Sequence, residues 1–141
     1  MPTSARCASS RTGQLIAPGD GGWLPLAPSA LPHAAGEAPP QALDTAGLAH
    51  IQQAFADAAV RAQQIGIDAI ELHAAHGYLL HQFLSPIANQ RTDAYGGSLE
   101  NRMRFPLEVF EAVRAALPDG YPVGIRLSAT DWVDGGWNLE Q

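Results

Sequence analysis

The sequence predicts an α/β fold made of βα units with parallel strands. Three observations carry this prediction. Two segments have apolar residues at steps of three and four, the spacing of amphipathic helices, and two short segments alternate with period two, the spacing of strands. The second helix lies between the two strands, and a helix-bearing crossover joins parallel neighbours where a hairpin would join antiparallel ones. Gly66 and the run Pro118-Asp119-Gly120 punctuate the changes of element.

Residues 1–43 form the first of two regions. They carry little periodicity and are dense in Pro and Gly, from Pro18 and Gly19 to Pro39 and Pro40. Such chain is irregular. A structureless stretch beyond ~15 residues inside a compact domain needs a reason: a long functional loop, or a start partway through a larger fold. Trp23, Leu24, Leu26 and Leu31 give it apolar weight, so it is expected to pack on something.

Residues 44–141 form the second region, the βα units. Asp44 or Thr45 can cap the first helix by accepting from a free backbone N–H. Its expected stripe is Leu48, Ile51, Phe55, Ala58, Ala62 and Ile65, and Gly66 supplies the left-handed stop. Residues 67–73 read as a strand with Ile67, Ala69, Glu71 and His73 on one face and Asp68, Ile70 and Leu72 on the other. A polar loop rich in Arg, Asp, Asn and Gly follows. The second helix starts at Ser98, with Leu99, Met103, Pro106, Phe110, Val113 and Leu117 as its stripe. Pro106 has no N–H to donate, so a kink or break is expected there. Residues 122–129 read as the second strand, with Val123, Ile125 and Leu127 on one face and Gly124, Arg126 and Ser128 on the other. The tail from Asp131 reads as loop.

Bulk properties narrow the function classes. The 141 residues are 46% hydrophobic and 16% charged, which suits a soluble globular domain. Net charge is -6, and the eight basic residues are scattered arginines, so no nucleic-acid partner is expected. No apolar run approaches the ~18 residues of a membrane span, and no membrane partner is expected. Cys7 is the single cysteine, which excludes an internal disulfide and fits a reducing compartment. Residues 1–12 lack the apolar core of a secretory signal, so a cytoplasmic location is expected.

The chemistry gathers at the end of the first strand. Parallel α/β folds collect their active sites at the carboxyl ends of strands. His73 closes that strand and His76 stands three residues on. Two imidazole N–H groups converging on one ketone oxygen strengthen as it gains negative charge. The plainer alternative is one core histidine and one surface histidine. A zinc site using His73, His76 and His81 lacks a carboxylate or cysteine at ligand spacing, so no metal is expected. Tyr78 has a phenol that can donate a proton as a general acid, or simply packs. Arg126 sits on the inward face of the second strand and needs an electron-rich partner. That partner is a cofactor ring, or Glu71 on the matching face, or both. No phosphate loop of the GxGxxG or Walker type is present.

The ordered block His73-Ala74-Ala75-His76-Gly77-Tyr78-Leu79-Leu80-His81-Gln82-Phe83-Leu84-Ser85-Pro86, then Asn89, Arg91-Thr92-Asp93 and Tyr95-Gly96-Gly97-Ser98-Leu99-Glu100-Asn101-Arg102, resembles the Old Yellow Enzyme family. This family comprises FMN-dependent ene-reductases and NADH:flavin oxidoreductases. The likeness continues through Arg104-Phe105 and Gly124-Ile125-Arg126-Leu127-Ser128-Ala129. Ahead of the block, Ala17-Pro18-Gly19-Asp20-Gly21-Gly22-Trp23 and Ala27-Pro28-Ser29-Ala30 resemble the family's long loop after the third barrel strand, so coverage is about residues 13–140. His-x-x-His, in place of His-x-x-Asn, is similar to the bacterial branch of xenobiotic reductases.

The resemblance implies a partial TIM (β/α)8 barrel, from the loop after strand 3 through strand 5. Residues 67–73 would be the barrel's fourth strand and residues 123–128 its fifth. It implies FMN as cofactor, NAD(P)H as reductant and a small-molecule enone as substrate. It assigns the substrate carbonyl to His73 and His76, proton delivery or substrate contact to Tyr78, and flavin contact to Arg126 together with His73. It leaves open a homo-oligomer for the full-length form. The family's first strands, its glutamine contact to the flavin and its phosphate-binding segment have no counterpart in these residues. A full barrel takes ~250 residues. A fragment that binds FMN weakly or not at all by itself is therefore expected. A non-catalytic remnant kept for interactions and a metal-dependent barrel hydrolase are the competing readings.

Overall fold

The computed structural model describes residue 16 and residues 18–141. The expectations for Cys7 and residues 1–12 lie outside the described residues. After a 3-10 turn at Pro18–Asp20, two short strands, β1 (Leu26–Ala27) and β2 (Gln41–Ala42), pair in parallel within the Pro/Gly-rich segment.

Helix α1 (Thr45–Gln64) begins where the capping chemistry allows. Asp44 is the N-cap, and its Oδ1 accepts from Gly47 N at 2.7 Å. It ends at Ile65, with Gly66 next at φ 88°. The buried stripe differs in phase from the expected one. Leu48 and Ile51 are buried as expected, but Ala56 and Ala59 follow them, while Ala58 is exposed and Ile65 is 80% exposed. Alanine carries so little side chain that a run rich in it does not fix which face turns inward.

Strand β3 spans Ile70–Ala74, so it starts three residues later and ends one residue later than the sequence suggests. Ile67 N donates to Ala62 O at 3.1 Å, and the Ile67 carbonyl accepts from the Tyr121 hydroxyl, so this stretch is held by the end of α1 on one side and by Tyr121 on the other. Strand β4 (Val123–Leu127) runs parallel to β3, and His73 is the register partner of Arg126. The sheet's faces differ. Leu72 and Ala74 are buried under the helices, whereas Glu71, His73, Gly124 and Arg126 are exposed on the open face.

Between β3 and the long polar loop lies a helix the periodicity did not reveal, α2 (Leu79–Leu84). Its Leu79, Leu80 and Phe83 are almost fully buried. Helix α3 (Leu99–Ala116) is capped by Ser98, whose side chain accepts from Asn101 N at 3.2 Å. The expected break at Pro106 does not occur, and the helix runs on through it. Pro106 itself is buried, and the full burial of Phe105, Val109 and Val113 outweighs one missing bond. The stripe again turns relative to expectation, since Phe105 and Val109 are buried where Met103 and Phe110 are only half-buried. Helices α1 and α3 pack together, and Phe83 of α2 meets Phe105 of α3 with ring centroids 4.5 Å apart.

Candidate functional site

The site begins where β3 stops. The chain reverses through His76 and Gly77, both in the left-handed region at φ 58° and 75°. That conformation is free for glycine but costs a residue with a Cβ of the order of 1–3 kcal/mol, so something must hold it. Two bonds do. His76 N donates to Ser128 Oγ, just past β4, and Gly77 N donates to His81 Nδ1 on α2, both at 2.8 Å.

The turn folds the aromatic groups together. The His73 ring lies 5.1 Å from the His76 ring, edge to face at 78°, and 5.1 Å from the Tyr78 ring. None of the three side chains donates a hydrogen bond to another described residue, so two imidazoles and a phenol stand with free donors at one place. Tyr78 is 40% exposed.

Arg126 reaches the same face through its register with His73. Its Nε donates to Glu71 Oε1 at 2.6 Å, so the structural partner weighed from the sequence is present. The two terminal guanidinium nitrogens have no partner among the described residues. Both side chains of the pair are about half exposed. An ion pair this exposed adds little stability, which leaves the guanidinium available to a ligand.

A cleft of about 690 Å³ opens beside the turn. Leu31, His33 and Glu37 of the Pro/Gly-rich segment line one side, and His76, Tyr78 and Gln82 the other. His73 and Arg126 lie outside that lining, on the open sheet face. The site therefore has two adjoining parts, a cleft and a flat polar face, and they meet at the His73–His76 contact.

The loop that follows is scaffold. Arg91 forms a two-pronged pair with Asp93, with Nε–Oδ1 at 3.0 Å and Nη2–Oδ2 at 2.5 Å. Its Nη1 donates to the carbonyls of Pro28 and Leu43 at 3.0 and 2.5 Å, which fastens the cleft's far wall to the loop. The Arg91 hydrogen bonds hold the Asp93 carboxyl below the usual carboxylate range. Burial pushes the Tyr95 phenol up, helped by the charge of Glu108. A Cβ on Gly96 would sit 2.3 Å from the Arg91 carbonyl oxygen, so only glycine fits there. Asn89 donates to the carbonyls of Phe83 and Tyr95 at 2.8 and 2.7 Å. Arg102 is buried, and donates to the Gly97 carbonyl at 3.2 Å and to the Leu84 carbonyl. Desolvation lowers its pKa.

Sequence reasoning missed His81 and Asp131, which lie close together although far apart in the chain. The ring nitrogens of His81 face Gly77 and Asp131. Among the described residues, no three His, Cys, Asp or Glu side chains are grouped to hold a metal ion, and no helix is long and apolar enough to cross a membrane.

Comparison with known proteins gives a consistent answer. The sequence profile of the NADH:flavin oxidoreductase / NADH oxidase family matches residues 14–140. An NADH:flavin oxidoreductase of Gibberella zeae is 50% identical over 117 residues, covering 81% of this chain and 28% of that protein. An NADPH dehydrogenase of Bacillus velezensis is 50% identical over 113 residues, covering 80% of this chain and 33% of that protein. Morphinone reductase in complex with tetrahydroNAD superposes with a TM-score of 0.73 at 40% identity, covering 85% of this chain and 37% of that one. The fold is thus that of part of a TIM-barrel reductase, and the chain spans about a third or less of the curated relatives it matches.

Proposed function

Because this chain belongs to the NADH:flavin oxidoreductase / NADH oxidase family, we propose that it forms part of the active site of an FMN-dependent NAD(P)H oxidoreductase. The reaction we assign is reduction of the C=C bond of α,β-unsaturated carbonyl compounds. One observation carries the reading: His73 touches both His76 and Tyr78, with all three donors unused, at the edge of a cleft.

The residues present suit FMN. A flavin gains negative charge at its pyrimidine end on reduction, and a cation with free N–H groups on an open, flat face matches that end. Arg126 is such a cation, with Glu71 occupying only its Nε. His73, its register partner, adds a ring N–H beside it. When bound, the reduced flavin supplies hydride to the substrate's β-carbon.

The chain's own residues do the rest. His73 and His76 donate ring N–H groups to the carbonyl oxygen, and those bonds strengthen as charge moves onto it. Tyr78 delivers a proton to the α-carbon or contacts the substrate. The cleft wall at Leu31, His33 and Glu37 faces the substrate, and Arg91 keeps that wall in place through Pro28. A substrate held between wall and histidines is partly shielded from water, where each donor counts for more. With a single cysteine in 141 residues, a reducing cytoplasmic setting suits the chain.

The test is an assay of flavin-loaded protein carrying this chain. Oxidation of NADH or NADPH is expected to speed up on addition of an enone and not of the matching saturated ketone. Equal rates with both, or no enone-dependent oxidation at full flavin occupancy, would remove the reading.

A further inference from the structure

The His76-Gly77 turn is held by a circuit of contacts that the proposed reaction does not itself use. Gly77 N donates to His81 Nδ1 at 2.8 Å. That bond selects the tautomer, because an accepting Nδ1 carries no proton and the neutral ring must carry it on Nε2. Nε2 lies 2.9 Å from Asp131 Oδ1, a close contact that is bent away from ideal hydrogen-bond alignment. Asp131 Oδ2 accepts from Ser85 Oγ at 2.6 Å and from Trp137 N at 2.8 Å. Trp137 Nε1 donates to Ser128 O, and Ser128 Oγ accepts from His76 N, both at 2.8 Å. The circuit closes on the turn where it began. The His81 and Asp131 side chains are 7% and 10% exposed, so water competes weakly for these bonds.

We propose that His81 and Asp131 are positioning residues for the His76 imidazole. Together they hold the left-handed backbone at His76 and Gly77 and so aim the His76 ring toward His73. Asp131 acts at two points. It faces the protonated Nε2 of His81, and it orders the segment that carries Trp137 and Ser128. The inference rests on the carbonyl-binding role of His76. A ring at the end of a Cα–Cβ lever moves further than the backbone that carries it, and a misplacement of ~1 Å in a reacting group can cost ~10²-fold in rate.

The test is a double-mutant cycle in flavin-loaded protein carrying this chain. His81→Phe keeps the ring and removes the acceptor. It is expected to lower kcat for the enone by ~10- to 100-fold at unchanged flavin content. The same change in a His76→Ala background is expected to cost less than ~3-fold, because the group being positioned is already gone. His81→Asn puts an amide oxygen near the Nδ1 position and is expected to recover most of the rate. Asp131→Asn should behave as a weaker His81→Phe, and should serve in its place if the Phe variant does not fold. A further readout needs no variant: ¹⁵N shifts of the His81 ring should show a bare Nδ1 and a protonated Nε2. A proton on Nδ1 would overturn the inference, as would losses that multiply in full with His76→Ala. If His76→Ala lowers the rate but the His81 loss still multiplies, only the positioning role falls. If His76→Ala leaves the rate unchanged, the carbonyl-binding reading falls and takes this inference with it.

Discussion

The polar side chains between Asn89 and Arg102 and those on the open face and turn at β3 and β4 all carry N–H or O–H donors, yet the fold treats them in opposite ways. Arg91, Asn89 and Arg102 have their donors taken up by backbone carbonyls and one carboxylate. His73, His76, Tyr78 and the outer nitrogens of Arg126 have donors with no taker among the described residues. Desolvating a donor without a partner is costly, so a fold tolerates unused donors only where water or a ligand reaches them. The first group is buried or half-buried, whereas all four members of the second are exposed. Without reference to any relative, the contrast divides donors that hold the framework from donors open to water or a ligand.

The contrast can be broken by substitution. The largest effect is expected at Arg102→Met, which strands the buried Leu84 carbonyl, removes the donor to the Gly97 carbonyl and takes a buried side chain out of its packing. Urea titration should show a loss of about 2–5 kcal/mol, with the rate per folded molecule intact. A large loss of rate with little loss of stability would place Arg102 in the site instead. Next comes Gly96→Ala, where the new Cβ meets the Arg91 carbonyl oxygen at 2.3 Å. A destabilisation of about 1–3 kcal/mol is expected on thermal melting, and none would mean that the loop yields easily.

Arg126→Leu tests the other side of the contrast. Its stability should barely change, because the Glu71 pair is half exposed, while FMN affinity should fall about tenfold, or ~1.4 kcal/mol. An unchanged flavin titration would leave Arg126 a purely structural partner of Glu71.

The smallest effect concerns acid. The folded Asp93 carboxyl titrates below its unfolded value. Its contribution is therefore present at neutral pH and lost as pH falls below about 4 and through the folded value. A melt series should show this slope, and Asp93→Asn should flatten it.

Some of this was legible in the sequence and some was not. The caps at Asp44 and Ser98 were legible because a short side-chain acceptor ahead of an apolar period has one common use. The shared face of Glu71 and His73 followed from the period of two. Helix α2 was hidden because six residues hold fewer than two turns, too few to establish a period. The inward phase of α1 was hidden by its alanines. Burial of Arg102 ran against the usual exposure of arginine, and the Leu84 and Gly97 carbonyls together with the charge of Asp131 explain it. The His81–Asp131 contact joins α2 to the segment beyond β4, and no local pattern announces a pairing at that separation. Residue type and strand phase offered candidate roles for His73, His76, Tyr78 and Arg126, each beside a plainer alternative, and the family resemblance favoured those roles. The coordinates add their distances and free donors.

The most direct measurement is the enone-dependent rate of His73→Ala at matched flavin occupancy, since His73 stands between Arg126 and the His76–Tyr78 pair. Loss of one donor to a developing oxyanion predicts a fall of ~10²–10³ with little change in melting temperature. A rate equal to that of the unsubstituted protein would contradict the account.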